Sequence, residues 1–284
     1  MAELAWVDGK ITSQEEAKVP YLDHGTFFGY GVYEALKVYN GQLFAVEDHL
    51  DRLDNSLQGI NIKQVYSRDE LISIMNDLII KSELKDAVLY LQITRGIAPR
   101  KHSLEEEIKP FLTLFISYLP PIPEKLRIAG VKAILLPDDR WAHPNIKTLN
   151  LLPNVIAKQK ADSEGAFEAI LVKDNIVTEA SSSNVFAVFG NKIVTHPTDG
   201  KILPGISRLV VLSLAKKYNM ELSEKYITQE QLLSADEVFL TNTGAEVIGI
   251  TDIDGTKIGK GVPGPITKNL YKLFLDVIEE YFKE

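Results

Sequence analysis

A short proline-rich segment constrains the fold of this 284-residue chain more than any other feature of its sequence. In Leu119-Pro-Pro-Ile-Pro-Glu124, three of four consecutive residues are proline. Proline lacks a backbone N–H and has a fixed φ, so this segment cannot continue a helix or a central strand. We therefore predict a linker at 119–124 between an N-terminal α+β domain (1–118) and a C-terminal α+β domain (125–284). A functional site is expected in the cleft between the two domains.

Hydrophobic periodicity predicts helices and strands on both sides of this linker. Apolar residues recur at helical spacing at 46–57, 69–84, 151–163, 206–218 and 265–282. Strand-like apolar runs occupy 87–94, 111–118, 131–136, 167–172, 184–189, 192–195 and 237–241. This mixture predicts the α+β fold class.

Composition and charge exclude several classes of protein. The net charge of −8 and the sequence pI of about 5.3 argue against a nucleic-acid partner, which requires a basic surface. The N-terminus lacks the pattern of a signal peptide, and no apolar run is long enough for a membrane helix. The absence of cysteine excludes disulfides and thiolate metal sites, and the five histidines show no metal-ligand spacing. We expect a cytoplasmic protein that binds no metal.

One glycine-rich segment, Gly259-Lys-Gly261-Val-Pro-Gly264, has the spacing of a dinucleotide-binding loop. Such a loop must open a βαβ unit, and only about twenty residues follow it. We therefore interpret it as a turn into the last helix.

Lys147 and Glu179, 32 residues apart, are the residues that most directly indicate chemistry. An amine that can form a Schiff base and a carboxylate that can keep a pyridine nitrogen protonated are the groups that a pyridoxal phosphate (PLP) enzyme needs most. Taken alone, Lys147 is typical of a surface lysine and Glu179 of a solvated carboxylate at a strand end. Only their combination with a phosphate site favours the catalytic interpretation.

A phosphate site requires helix N-terminal amides, hydroxyl groups and usually an arginine. Gly205-Ile206-Ser207 opens a predicted helix, Thr243 lies in a strand-end turn, and Arg52 could supply the charge. Each has an alternative interpretation. Arg52 could form a surface pair with Asp48, and Ser207 could be a helix N-cap.

Five sequence blocks, which contain all of these residues except Thr243, resemble the fold-type IV PLP enzymes. The blocks are Asp23-His-Gly25-Thr-Phe-Phe-Gly29-Tyr-Gly31-Val-Tyr33-Glu34, Asp48-His-Leu-Asp-Arg52-Leu53, Ile146-Lys147-Thr-Leu-Asn150-Leu-Leu152, Glu179-Ala-Ser-Ser-Ser-Asn184-Val-Phe186 and Leu203-Pro-Gly205-Ile-Ser207-Arg208. The family includes branched-chain and D-amino-acid aminotransferases, (R)-selective amine aminotransferases and aminodeoxychorismate lyases.

The resemblance implies a fold-type IV architecture with pyridoxal 5'-phosphate bound in the interdomain cleft. It also implies that the C-terminal domain (125–284) is an α/β-barrel-like cofactor domain. It implies that Lys147 binds PLP covalently and moves the substrate proton, and that Glu179 contacts the pyridine nitrogen. The phosphate ligands would be Arg52, Ile206, Ser207 and Thr243. Arg140, near the phenolic oxygen, and Ser182, Ser183 and Leu203 complete the expected cofactor site.

The segment Pro99-Arg100-Lys-His102 is similar to that of the D-amino-acid aminotransferase subgroup. The resemblance implies that Arg100 and His102 bind the substrate α-carboxylate from the neighbouring subunit of a homodimer, together with Tyr33. Arginine, histidine and tyrosine supply suitable hydrogen-bond donors for this task. On the sequence alone, Arg100 and His102 could instead lie on a solvated loop.

The implied activity is transamination of D-alanine and 2-oxoglutarate to pyruvate and D-glutamate, with amino acids and 2-oxo acids as small-molecule partners. A branched-chain L-amino-acid aminotransferase is the main alternative. A lyase that releases pyruvate without consuming a keto acid is another. The alternative outside enzymology is a non-catalytic binding protein with the same fold.

Overall fold

The computed structural model describes residues 2–103 and 107–283, which form two compact units. Unit 1 comprises the described chain up to Pro120 together with Ile146–Asn150, and unit 2 comprises Pro121–Asn145 and the chain from Leu151 onward. The first boundary falls within the predicted linker. Residues 146–150, predicted to lie in the second domain, belong to unit 1. Both units contain helices and strands, which confirms the α+β class.

Unit 1 contains a six-stranded sheet with the strand order β2-β1-β6-β5-β3-β4, in which all neighbours are antiparallel. Its elements are β1 (Leu4–Val7), β2 (Lys10–Ser13), α1 (His24–Phe28), β3 (Gly31–Tyr39), β4 (Gln42–Leu43), α2 (Val46–Gly59), α3 (Arg68–Ser82), β5 (Ala87–Thr94) and β6 (Phe111–Tyr118).

The alternation of side chains along β3 determines which face of this sheet is buried. Val32, Leu36 and Val38 belong to a core shared with α2 and α3, whereas Tyr33 and Tyr39 lie on the other face and are partly exposed. This is the period of two that a half-buried strand requires.

Residues 146–150 join unit 1 because β3 has an open edge near its N-terminus. The short strand β4 pairs only with the C-terminal end of β3, at Val38 and Tyr39. Nearer the N-terminus, the Tyr33 N–H donates to the Lys147 carbonyl at 3.0 Å, and the Leu149 N–H donates to the Gly31 carbonyl at 3.1 Å. Backbone pairing thus fixes the segment that carries Lys147.

Unit 2 contains a nine-stranded mixed sheet in the order β12-β11-β10-β13-β14-β7-β8-β9, with β15 paired to β14. The neighbours β11–β12, β14–β7 and β7–β8 are parallel. Its elements are α4 (Glu124–Ala129), β7 (Val131–Pro137), α5 (Leu152–Ser163), β8 (Glu168–Lys173), β9 (Ile176–Ala180), β10 (Asn184–Phe189), β11 (Lys192–Thr195), α6 (Ile206–Lys217), β12 (Leu222–Glu224), α7 (Gln229–Leu233), β13 (Glu237–Asn242), β14 (Glu246–Ile253), β15 (Thr256–Lys257) and α8 (Pro265–Tyr281).

Every predicted helix and strand is present, with ends shifted by at most two residues. The glycine-rich segment forms the predicted turn: Gly259 and Gly261 have positive φ, and Gly264 is the N-cap of α8. Within residues 2–103 and 107–283, no helix is long and apolar enough to cross a membrane.

Candidate active site

Lys147 in unit 1 is held by its backbone and faces an aromatic ring. Besides the bond from Tyr33, its own N–H donates to Ser56 Oγ on α2 at 3.2 Å. Its Nζ lies 4.2 Å from the centroid of the Tyr33 ring. The predicted covalent ligand and the predicted substrate-binding tyrosine are therefore neighbours in the folded chain. A tyrosine ring close to an ammonium group stabilises its positive charge.

Tyr33 is the first ring of a stack on the face of the sheet opposite the core of unit 1. Its ring centroid lies 5.3 Å from that of Tyr90, which lies 4.8 Å from that of Phe115. The Tyr90 hydroxyl donates to Gln92 Oε1 at 3.0 Å. Burial raises the pKa of Tyr90, so this hydroxyl stays neutral at physiological pH.

Arg52 is buried in a charged cluster of unit 1, so it is not the surface residue of the alternative interpretation. Its Nε and Nη2 donate to the two carboxylate oxygens of Glu34 at 2.9 and 2.7 Å. His49 Nδ1 lies 2.7 Å from Glu34 Oε2. Burial alone raises the pKa of Glu34, but Arg52 and His49 outweigh it and lower the pKa to about 2. Burial lowers the pKa of His49.

Arg100 and His102 are exposed residues in unit 1 that both lie against Phe28, the last residue of α1. The Arg100 guanidinium is 5.1 Å from the centroid of the Phe28 ring, and the His102 ring is 5.5 Å from it. The structure therefore brings two of the three predicted carboxylate ligands together. The third, Tyr33, lies against Tyr90 and Lys147 instead.

Glu179, on β9 of unit 2, is a buried carboxylate that accepts several hydrogen bonds. Asn184 Nδ2 donates to its Oε2 at 2.9 Å, the Leu203 N–H lies 3.1 Å from both oxygens, and Arg140 Nη1 donates to Oε1. Burial raises the pKa of Glu179 to about 7, although Arg140 and the Leu203 amide oppose this shift. The predicted cofactor residues Arg140, Glu179 and Leu203 thus form one cluster.

Arg140 is held between two carboxylates rather than one. Its Nε and Nη2 each donate to an Asp138 oxygen at 2.8 Å, while Nη1 contacts Glu179. Thr178 Oγ1 donates to Asp138 Oδ2 at 2.7 Å. Burial raises the pKa of Asp138, but Arg140 outweighs it and the net pKa lies below the ordinary value. Arg140 is therefore oriented by a partner two residues away in the chain.

The hydroxyls of Ser181, Ser182 and Ser183 all donate to the carboxylate of Glu168, the first residue of β8. Ser182 does so at 2.7 Å and Ser183 at 2.8 Å. Glu168 is only 1% exposed. In this structure, the two serines predicted to contact the cofactor orient the segment after Glu179 through Glu168.

Gly205 allows a close approach between the start of α6 and Asn184. A Cβ at Gly205 would lie 2.1 Å from Asn184 Oδ1, far inside van der Waals contact. Asn184 Nδ2 also donates to the Leu203 carbonyl at 2.9 Å. Asn184 therefore links the turn before α6 to Glu179, in addition to the direct bond from the Leu203 N–H.

Ser207 lies in the first turn of α6, but the N-cap is Gly205, so the N-cap interpretation of Ser207 is wrong. Its Oγ donates to the carbonyl of Asn242, the last residue of β13, at 2.9 Å. Thr243 follows directly in the turn between β13 and β14. Three predicted phosphate ligands of unit 2, Ile206, Ser207 and Thr243, therefore lie on two adjoining segments. The fourth, Arg52, belongs to unit 1.

Sequence reasoning assigned no role to Glu34, Asp138, Glu168, Asn184 and Asn242, which orient the predicted site residues. For Glu34 a signal exists, because it occupies the same face of β3 as Val32 and Leu36. A carboxylate at an inward position requires a partner. Asn242 carries no such signal, since asparagine at a strand end is typical of an ordinary turn.

Comparison with known proteins identifies relatives that match nearly the whole chain. The family model described as amino-transferase class IV matches residues 31–253. The D-alanine aminotransferase of Bacillus licheniformis is 46% identical over 265 residues, which cover 93% of this chain and 93% of that protein. That of Staphylococcus aureus (strain MSSA476) is 39% identical over 281 residues, covering 98% and 99%.

Solved structures share the fold at lower identity. The branched-chain aminotransferase of the archaeon Thermoproteus uzoniensis, solved with norvaline, has a TM-score of 0.85 at 28% identity, covering 97% of this chain and 94% of that one. The branched-chain enzyme of Escherichia coli has a TM-score of 0.89 at 25% identity, with the same coverage. A further branched-chain enzyme, solved with pyridoxamine 5'-phosphate, has a TM-score of 0.88 at 26% identity and again the same coverage.

Proposed function

This chain belongs to the class IV aminotransferase family, and on that basis we propose that it is a PLP-dependent transaminase of D-amino acids. The proposed reaction converts D-alanine and 2-oxoglutarate to pyruvate and D-glutamate. The choice of D-amino acids as substrates rests on the 46% identity to a D-alanine aminotransferase over 93% of both chains. The branched-chain enzymes with the same fold are only 25–28% identical and support the architecture more than the substrate.

The residues present fit the proposed cofactor. Glu179 is a buried acceptor of the kind that a protonated ring nitrogen requires. The first turn of α6 offers backbone N–H groups, including that of Ser207, and Thr243, with its hydroxyl, lies in the adjoining turn. Helix N-termini with adjacent hydroxyls favour phosphate. When bound, PLP supplies a conjugated ring that accepts the electrons of the substrate Cα–H bond.

In the proposed mechanism, the Lys147 amine holds the cofactor and then moves the Cα proton of the substrate. The backbone hydrogen bonds of Lys147 with Tyr33 and Ser56 support this assignment, because they fix the backbone from which the long Lys147 side chain extends. Glu179 keeps a proton on the ring nitrogen. Arg140 neutralises charge beside Glu179 and, by resemblance, faces the phenolic oxygen.

The remaining assignments are contacts that orient the cofactor. Arg52, Ile206, Ser207 and Thr243 are proposed to bind the phosphate, and Leu203 to contact the ring. Ser182 and Ser183 are assigned to the ring face. Their bonds to Glu168 support a role in holding the segment after Glu179 in place.

Arg100, His102 and Tyr33 are proposed to bind the substrate α-carboxylate, with Arg100 and His102 supplied by the second subunit of a homodimer. Two features support this assignment. Arg100 and His102 are exposed, and both are aligned on the Phe28 ring, which gives this segment a defined pair of donors. A guanidinium can bind both oxygens of a carboxylate.

The test is the visible spectrum of PLP-loaded protein titrated separately with D-alanine and with L-leucine. Bleaching of the cofactor band by D-alanine alone supports the proposal. Bleaching by L-leucine alone would instead identify a branched-chain enzyme and contradict the carboxylate-binding assignment. Consumption of 2-oxoglutarate during turnover distinguishes a transaminase from a lyase. A protein that stays colourless with added PLP would contradict all the enzymatic alternatives.

A further inference from the structure

Asn242 closes the turn that carries Thr243. It is the last residue of β13 and lies opposite Glu246 in the antiparallel pair with β14. Its side-chain Oδ1 accepts hydrogen bonds from the Gly244 N–H at 2.9 Å and the Ala245 N–H at 2.6 Å. Asparagine side chains stabilise turns in this way by binding backbone amides two and three residues ahead. The conformation of the Thr243 turn therefore depends on this side chain.

The other side-chain atom of Asn242 connects this turn to the serine segment. Its Nδ2 donates to Ser183 Oγ at 2.8 Å, and Ser183 Oγ donates to Glu168 Oε2 at 2.8 Å. Because Glu168 is 1% exposed and fixed at the start of β8, this chain of bonds ends on a rigid, buried carboxylate. A network in which every member is hydrogen-bonded holds its parts in a single arrangement.

The backbone of Asn242 makes a third connection, to the start of α6. Its carbonyl accepts the hydrogen bond from Ser207 Oγ at 2.9 Å. Asn242 thus contacts three of the segments of unit 2 that carry proposed cofactor ligands: the Thr243 turn, the first turn of α6 and the serines after Glu179.

We propose that Asn242 is a positioning residue for the cofactor phosphate. Its side chain and its carbonyl fix the position of the Thr243 turn relative to Ser207. This inference rests on the proposed function and adds a residue to which that function assigned no role. Asn242 does not act by contacting the phosphate. It acts by holding the groups that do, so its loss weakens binding of the phosphate. Ser183, assigned to the ring face, loses one hydrogen bond but keeps the bond to Glu168 that holds it in place.

The experiment compares the dissociation constants of PLP and of pyridoxal, which lacks the phosphate, on cofactor-free protein. In Asn242→Ala, the Gly244 and Ala245 amides lose their acceptor and Ser183 loses its donor. We expect the Kd for PLP to rise about tenfold and the Kd for pyridoxal to change less than about twofold. The matched control is Asn191→Ala, which changes an exposed asparagine in the β10–β11 turn of the same sheet and should alter neither constant.

If Asn242 had a purely structural role, Asn242→Ala would raise the Kd values for PLP and pyridoxal equally or would raise neither. Either result overturns the proposal. If Asn242→Ala does not fold, Asn242→Ser decides, because serine can still accept a turn amide but cannot reproduce the donor to Ser183. In Asn242→Ser, the Kd for PLP should rise by a smaller factor than in Asn242→Ala, while the Kd for pyridoxal stays the same. Failure of the proposed function would look different, since the wild-type protein itself would not bind PLP.

Discussion

The charge of Glu179 is set by two opposing influences. Burial raises its pKa to about 7, while Arg140 and the Leu203 amide favour the ionised form. Such a carboxyl gains or loses a proton near neutral pH, unlike an exposed glutamate. In the proposed mechanism this property lets Glu179 share a proton with a ring nitrogen at little energetic cost.

This pKa predicts how the stability of the cofactor-free protein depends on pH. The folded-state pKa of about 7 lies above the ordinary value of 4.5, so the folded state binds a proton that the unfolded state has released. The contribution of Glu179 to the free energy of unfolding is therefore complete below about pH 4.5 and is lost as the pH rises to about 7.

The free energy of unfolding of the wild type should fall as the pH rises from 5 to 8. In Glu179→Gln we expect this fall to be smaller by roughly 1–3 kcal/mol. Urea unfolding of both proteins across this range measures the difference. The comparison is insensitive to the lost pairing with Arg140, because arginine keeps its charge throughout. Parallel curves for the two proteins would show that Glu179 does not titrate there.

Removal of the Lys147 amine tests the proposed chemistry most directly. We expect Lys147→Ala to lose at least roughly 10²–10⁴-fold in turnover, because a positioned proton-transfer group contributes that much. Circular dichroism should be unchanged, since the backbone bonds of residue 147 remain. Lys158→Ala, at a partly exposed position on α5 where the lysine pairs with Asp162 of the same helix, is the control and should retain activity. Wild-type turnover by Lys147→Ala would refute the assignment.

Among the secondary-structure elements, α6 matters most to the site, because its N-terminus carries the proposed phosphate ligands Ile206 and Ser207. Gly205 has φ −65°, which alanine tolerates, so a substitution there is not strained by its backbone. The obstacle is the Asn184 side chain, which a Cβ would meet at 2.1 Å. Asn184 cannot move without weakening its bonds to Glu179 and Leu203.

We therefore expect Gly205→Ala to reduce the free energy of unfolding by roughly 1–3 kcal/mol, as overpacking does, and to weaken PLP binding. Thermal unfolding and a PLP titration measure the two effects. Ser213→Ala, on an exposed position of the same helix, should change neither. If Gly205→Ala matched the wild type in both measurements, the close contact with Asn184 would have no energetic importance.

For the whole molecule, the proposed function predicts that each active site combines residues from two copies of the chain. Mixed dimers test this directly. A dimer of one Lys147→Ala subunit and one Arg100→Ala subunit has one complete site if Arg100 acts across the interface, and none if it acts within its own subunit.

After co-refolding the two inactive variants in equal amounts, half of the dimers are mixed and each contains one intact site. The expected recovery is thus about a quarter of wild-type activity, if association is random and twofold symmetric. The measurement compares the transaminase activity of each variant alone with that of the co-refolded mixture. No recovery, with mixed dimers present by mass, would place Arg100 in the same subunit as its substrate.

The positions of the elements follow from sequence because they depend on local periodicity. The helices at 46–57 and 265–282 and the strands at 87–94 and 111–118 were predictable from apolar spacing alone, and each is found within two residues of its predicted bounds. Lys147 and Glu179 became candidates for a different reason, namely their combination with phosphate-type residues and the resemblance of the surrounding blocks to a known family.

The contacts between residues distant in the chain depend on tertiary packing. The pairing of Arg52 with Glu34 requires α2 to pack on β3, and the pairing of Lys147 with Tyr33 requires the open edge of β3. Asn242 reaches Ser183 and Ser207 only because three segments separated in the chain converge. Local pattern encodes which face of an element is buried, whereas these contacts depend on how whole elements pack, which no short stretch of sequence specifies.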